Sequence, residues 1–166
     1  MHLPRPRVYV ETTIPSAYYT GRTGTDMVAQ REWTRRWWHL ATAGYELVTS
    51  FVVYRELLGG KSRHVSARLA LLRDLELLDV TPAVRETAQT YASQKLMPAK
   101  PLSDAMHLAL ASHYGCDALV TWNYRHLANA TKFDRIRRLN TQLGLPVPEL
   151  TTPRLLLGVD DDEPGA

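Results

Sequence analysis

The sequence predicts an α/β fold: a central, mostly parallel sheet covered by helices on both faces. Four short runs, 7–13 (RVYVETT), 45–50 (YELVTS), 75–80 (LELLDV) and 117–122 (DALVTW), are rich in β-branched and large apolar residues, as strands buried on both faces tend to be. Longer stretches of helical character separate them, and alternation of this kind is satisfied by parallel strands joined through crossover helices. A chain of 166 residues is long enough for one sizeable core. Residues 1–157 are therefore read as a single domain and 158–166 as an acidic, disordered tail.

The elements follow in order. The first strand breaks at Glu11, and helical sequence covers 14–43 with an interruption at TGRTGT. The second strand ends at Ser50; the helical stretch 51–72 is interrupted by GGKS, and the third strand follows. Helices are expected over 83–96 and 103–114, the latter with Ser103 and Asp104 in its first turn, where they can satisfy unpaired N–H groups and complement the helix dipole. After the fourth strand, residues 123–144 are polar and helical, with Gly144 as the stop. LPVPEL then offers a short edge strand and TTPRLLL a last turn packed on the body. There is no internal repeat or low-complexity linker.

Charge is unevenly distributed. The net charge is +3, but Asp160, Asp161, Asp162 and Glu163 belong to the last nine residues; without these four, 20 basic residues face 13 acidic ones. A body of that sign attracts polyanions. No apolar run approaches the roughly 18 residues of a membrane span, and the start MHLPRPRVYV lacks the apolar core of a signal peptide. The expectation is a cytoplasmic protein with no membrane partner. The one cysteine, Cys116, reads as a small packed hydrophobe, since a catalytic thiol would need an activating base.

In an open parallel sheet, ligands bind beyond the carboxyl ends of the strands, and four polar residues lie at such ends. Glu11 closes the first strand, Asn123 follows the fourth, and Asp104 opens the helix leading into the fourth. Glu56 shares a helical stripe with Val52, Val53 and Leu57, and a carboxylate on an inward face needs a partner. Arg55 or another cation could supply it; alternatively Glu56 faces a cleft with Glu11 and Asp104. Converging carboxylates repel unless a hard cation with oxygen ligands lies between them, which favours Mg²⁺ over zinc, for which no Cys/His spacing exists.

The segments VYVETTIPSAYY, SFVVYREL, PLSDAMHLALASHYGCDALVTWNYRHL and TTPRLLL resemble, in order and spacing, the PIN-domain family, specifically VapC-like toxins of toxin–antitoxin pairs. The similarity covers most of residues 7–157 and is strongest in the D-A-x-H-x-A-x-A helix with the following G-x-D-x-L-V-T strand. It implies a three-layer α/β/α sandwich and a ribonuclease using Mg²⁺ or Mn²⁺ held by acidic residues. It also implies a small cognate antitoxin as partner, and a homodimer. Carried over, the catalytic and metal-holding set is Glu11, Glu56, Asp104 and Asn123. Two departures stand out: Glu11 replaces the usual Asp, and Asn123 stands where many members have a fourth acid, which weakens the case for a second metal.

Around this set, Thr12 and Thr13 could hold phosphate or water by their hydroxyls, or cap the next helix. His107, on the helical face of Asp104, either packs, meets substrate or supports a ligand from behind. Arg125 and His126 are placed to meet phosphate, surface charge being the alternative for Arg125. Asn123 is a ligand through its amide oxygen or a helix cap. REWTRRWWHL (31–40) interleaves arginines with tryptophans; Trp33 and Trp37 share a face, which favours packing or an antitoxin interface over stacking on RNA bases. Lys132, Arg135, Arg137 and Arg138 form a second basic patch. GGKS mimics a P-loop end, but Arg55 occupies the position of its first glycine and a helix precedes it. The leading expectation is a metal-dependent endoribonuclease. A non-catalytic RNA- or protein-binding module and a hydrolase of small phosphoesters are the alternatives.

Overall fold

The computed structural model describes residues 3–123 and 130–158. Arg125, His126 and the acidic residues of the tail lie outside them. Five strands, β1 (Arg7–Val10), β2 (Glu46–Ser50), β3 (Glu76–Leu78), β4 (Ala118–Val120) and β5 (Glu149–Thr151), form one sheet in the order β3-β2-β1-β4-β5. All four pairings are parallel, so the expected mostly parallel sheet is wholly parallel. Helices α1 (Thr13–Tyr18), α2 (Thr25–Gly44), α3 (Phe51–Gly59), α4 (Val65–Leu71), α5 (Pro82–Ser93), α6 (Ser103–His113), α7 (Ala130–Gln142) and α8 (Pro153–Leu156) flank it.

Strands β3 and β4 are only three residues long, shorter than their apolar runs. Leu75 and Val80, although apolar, pack against the core from outside the ladder. Strand β5 starts after Pro146 and Pro148, which cannot donate to a ladder, and extends to Thr151. Side-chain caps set several helix starts. Ser50 closes β2 and accepts from Val52 N at 3.2 Å, so strand and helix α3 join without a loop. Thr81 accepts from Val84 N (3.2 Å) with Pro82 behind it, and Thr152 does the same for Leu155 N (3.2 Å) with Pro153; such caps are worth about 1 kcal/mol each. Beyond α7, Gly144 takes φ +70° and Leu145 N returns to Asn140 O at 2.8 Å, the left-handed helix stop that favours glycine.

Val8, Tyr9 and Val10 of β1 and Leu119 and Val120 of β4 are fully enclosed between the helical layers. Trp37 and Trp38 are buried against each other and Tyr45, which removes both from any base-stacking role. Trp33 is half-buried, with the guanidiniums of Arg36 and Arg154 over its ring at 5.0 and 5.8 Å. GGKS begins at Gly59, the last residue of α3, and breaks the helix before α4. Among the described residues, no helix is long and apolar enough to cross a membrane.

Cys116 is buried, and burial pushes its thiol up to about 12. A packed, protonated sulfur matches the structural reading and not a nucleophile. Native protein is expected to resist iodoacetamide at neutral pH and to react once denatured. Alkylation of the native fold at the rate of a free thiol would contradict this.

The chain runs outward from β1 through β2 to β3 and then crosses to β4 and β5 on the other side of β1. Connections therefore diverge between β1 and β4, opening a crevice beyond their carboxyl ends. Glu11 and Thr121–Asn123 lie at that position.

Candidate active site

Glu11 follows the last residue of β1, and its N–H donates to Val120 O of β4 at 3.3 Å, which holds it at the switch point. The residue is only 3% exposed. Its Oε2 accepts from Thr13 N (3.0 Å), Thr13 Oγ1 and Thr121 Oγ1 (2.8 Å). Thr13 Oγ1 in turn accepts from Trp122 N at 2.8 Å, and Thr121 Oγ1 from Asn123 N at 2.9 Å. Burial pushes the Glu11 carboxyl above its ordinary range, against the opposing charge of His107 and the Thr13 and Thr121 hydrogen bonds. All these donors use one oxygen, so Oε1 is left without a hydrogen bond among the described residues.

Glu56 is arranged in the same way. Its side chain is 34% exposed, and Oε1 accepts from Thr12 Oγ1 at 3.0 Å and from His107 Nε2 at 2.6 Å, while Oε2 has no partner among the described residues. Desolvation alone would raise its pKa; the hydrogen bonds from His107 and Thr12 and the charge of His107 outweigh it and hold the carboxyl below its ordinary value. The stripe expected from the sequence holds, with Val53 and Leu57 buried. Its partner, however, is the imidazole of His107 and not Arg55.

His107 is completely buried, and both ring nitrogens are committed. Nδ1 lies 2.8 Å from Tyr9 OH, which lies 2.7 Å from Ser50 Oγ, the cap of α3. The chain Thr12–Glu56–His107–Tyr9–Ser50 thus ties α3 and α6 to β1 and β2. Burial would lower the His107 pKa; the Glu56 hydrogen bond and the charges of Glu11, Glu56 and Asp104 overcome this and raise it. A ring with no exposed surface does not touch RNA, so among the readings of His107 the substrate contact is set aside and the packed ring that supports Glu56 from behind is the one the structure shows.

Thr12 and Thr13 also differ from expectation. Helix α1 has no side-chain cap hydrogen bond; both hydroxyls hold carboxylates instead. Asp104 lies in the first turn of α6 as expected, but that helix has no side-chain cap hydrogen bond either. Its half-buried carboxylate makes no hydrogen bond among the described residues and is near Lys132, whose pKa it raises against the larger lowering effect of burial. Asn123 is half-buried and, with Thr13 and Trp122, lines a cleft of about 470 Å³.

The fold therefore brings Glu11, Glu56 and Asp104 within electrostatic reach of one histidine. Among the described residues it does not close any three His, Cys, Asp or Glu side chains into a cage. The donor set still fits a hard divalent cation, because Glu11 and Glu56 each have one oxygen held and one uncommitted. Tyr9, Ser50 and Thr121 were missed in the sequence. A tyrosine in a strand enclosed on both faces was the one available signal, because a buried phenol needs a polar partner.

The family model of the PIN domain matches residues 8–132. No curated protein matches the chain. Two solved structures are similar to it in fold. A toxin–antitoxin complex from Klebsiella pneumoniae has a TM-score of 0.52 at 19% identity, over 75% of this chain and 93% of that one. VapBC2 from Rickettsia felis, bound to a DNA fragment from its promoter, has a TM-score of 0.51 at 17% identity, over 88% and 98%.

Proposed function

The chain belongs to the PIN-domain family, and from that premise we propose that it is a VapC-like toxin, an endoribonuclease using Mg²⁺ or Mn²⁺ and restrained by a cognate antitoxin. The observation that carries this is the pair of carboxylates flanking His107, Glu11 and Glu56, each with one oxygen fixed by hydrogen bonds and one uncommitted. Glu11, Glu56, Asp104 and the Asn123 amide oxygen would hold the cation. When bound, it supplies a Lewis acid for phosphoryl oxygens and a site where water is more readily deprotonated.

The chain's own residues do the rest. Thr13 and Thr121 fix the orientation of Glu11, and Thr12 and His107 fix that of Glu56, so neither carboxylate needs to reorganise when substrate arrives. Tyr9 and Ser50 hold the imidazole from behind. The Glu56 side chain is 34% exposed, so its free oxygen is accessible from solvent. The structural neighbours described as a toxin–antitoxin complex and as VapBC2 support an antitoxin partner; the homodimer is proposed on family resemblance.

A second reading, a binding module without turnover, is favoured by one feature: the fourth position, Asn123, lacks charge. Cleavage of end-labelled tRNA and structured RNA with Mn²⁺, with EDTA and by Asp104→Asn separates the two. Metal-dependent cleavage that falls on the order of a hundredfold in the variant, about 2.7 kcal/mol of barrier, supports the nuclease. Wild type and variant that are folded, antitoxin-free and equally inert leave the binding module.

A further inference from the structure

Beside the carboxylates, the 470 Å³ cleft is lined by Thr13, Arg22, Gln30, Arg68, Trp122 and Asn123 among others. We propose that this cleft seats a backbone phosphate of single-stranded RNA adjacent to the scissile bond, gripped between the guanidiniums of Arg22 and Arg68. The inference rests on the nuclease reading and specifies how its substrate is held.

Arg68 of α4 is fastened to the end of α1. Its Nε and Nη2 donate to Tyr19 O (3.2 and 2.8 Å) and Nη2 also to Ser16 O (3.2 Å). Those bonds use three of five guanidinium N–H groups and leave the two on Nη1. The guanidinium of Arg22 has no hydrogen-bond or ion-pair partner among the described residues, where only its backbone N–H is engaged, by Thr20. No carboxylate there is within ion-pair distance of either arginine. Burial lowers the Arg68 pKa, and the charge of Arg22 lowers it further, so the two cations are close enough to repel.

Two like charges at one cleft, with no acid in ion-pair range among the described residues, are stabilised by an incoming anion. Seven uncommitted N–H groups suit a phosphate, whose oxygens accept several at once. Trp122 favours a nucleotide over an acidic peptide. Its indole N–H is committed to Thr34 Oγ1 at 2.8 Å, so what it brings to the cleft is ring surface on which a base can stack. Thr13 and Asn123 belong both to this cleft and to the carboxylate site, which places the seated phosphate next to the reacting one.

The test is fluorescence anisotropy with a short labelled uridine oligoribonucleotide in EDTA, across a salt series, using wild type, Arg22→Gln and Arg22→Lys. Arg22→Gln is expected to weaken binding about tenfold and to reduce the salt slope by about 0.7. Arg22→Lys should restore the slope but not the full affinity, since it keeps the charge and loses the fork. Equal affinity and slope in wild type and Arg22→Gln overturn the proposal, as does Arg22-dependent binding of poly-glutamate with none of RNA. RNA bound through Arg22 by a wild type that cleaves nothing supports the cleft and removes the nuclease reading. Metal-dependent cleavage untouched by Arg22→Gln does the reverse.

Discussion

Glu11→Gln is expected to lower RNA cleavage about a thousandfold or more while leaving the thermal midpoint in EDTA unchanged or higher. The glutamine amide oxygen can still accept from Thr13 and Thr121, the donors that hold Oε2 now, so the shape of the strand end is kept. What disappears is a negative charge at a site 3% exposed. As a ligand, that charge carries several kcal/mol of transition-state stabilisation, and about 4 kcal/mol corresponds to about a thousandfold. As a buried group without a cation it costs the fold, which is why removing it does not lower the midpoint. The two readouts therefore move independently. Excess Mn²⁺ should raise the midpoint of the wild type, by about 2.7 kcal/mol of stability at a hundred times its Kd, and leave that of Glu11→Gln in place. A variant that cleaves normally, or that unfolds in EDTA, contradicts this assignment.

His107→Phe should damage both activity and stability. The phenyl ring occupies nearly the same space in the core, so no large cavity forms. It cannot donate to Glu56 or bond Tyr9, and these contacts are 2.6 and 2.8 Å in the native protein. Tyr9 keeps Ser50 Oγ as a partner; Glu56 keeps only Thr12 and is free to turn toward solvent. Loss of a half-buried, charge-assisted hydrogen bond costs about 1–2 kcal/mol. Loss of a group that orients a metal-holding carboxylate costs about 10–100-fold in activity. The fall should be in kcat more than KM, because a ring with no exposed surface does not touch substrate. If KM rises at constant kcat, His107 contacts RNA after all and its positioning role is wrong.

The predicted fold class and the order of elements were legible because they depend on local features. RVYV and DALV announce strands by composition and Gly144 announces a stop, whereas the caps at Ser50, Thr81 and Thr152 appear only in the structure. Their limits were less legible. Leu75 and Val80 are as apolar as the residues in the ladder, and whether they join it depends on the neighbouring strand's register, which no single segment contains.

The use made of each polar residue was decided further away. His107 meets Tyr9 across 98 positions and Glu56 across 51, while Thr121 reaches Glu11 across 110. Spacing along a helix could set His107 on the face of Asp104 but could not say that the face points inward onto a tyrosine. It could offer Thr12 and Thr13 a phosphate, a water or a helix cap, but not the Glu56 carboxylate that Thr12 holds, which lies 44 positions away on α3. The sequence by itself determined which residues are acidic and that strands alternate with helices around a parallel sheet, beyond whose carboxyl ends ligands bind. Only the tertiary structure decided which oxygen of each carboxylate is held and which is left for a ligand, because hydrogen bonds between distant elements exist only once the layers have closed.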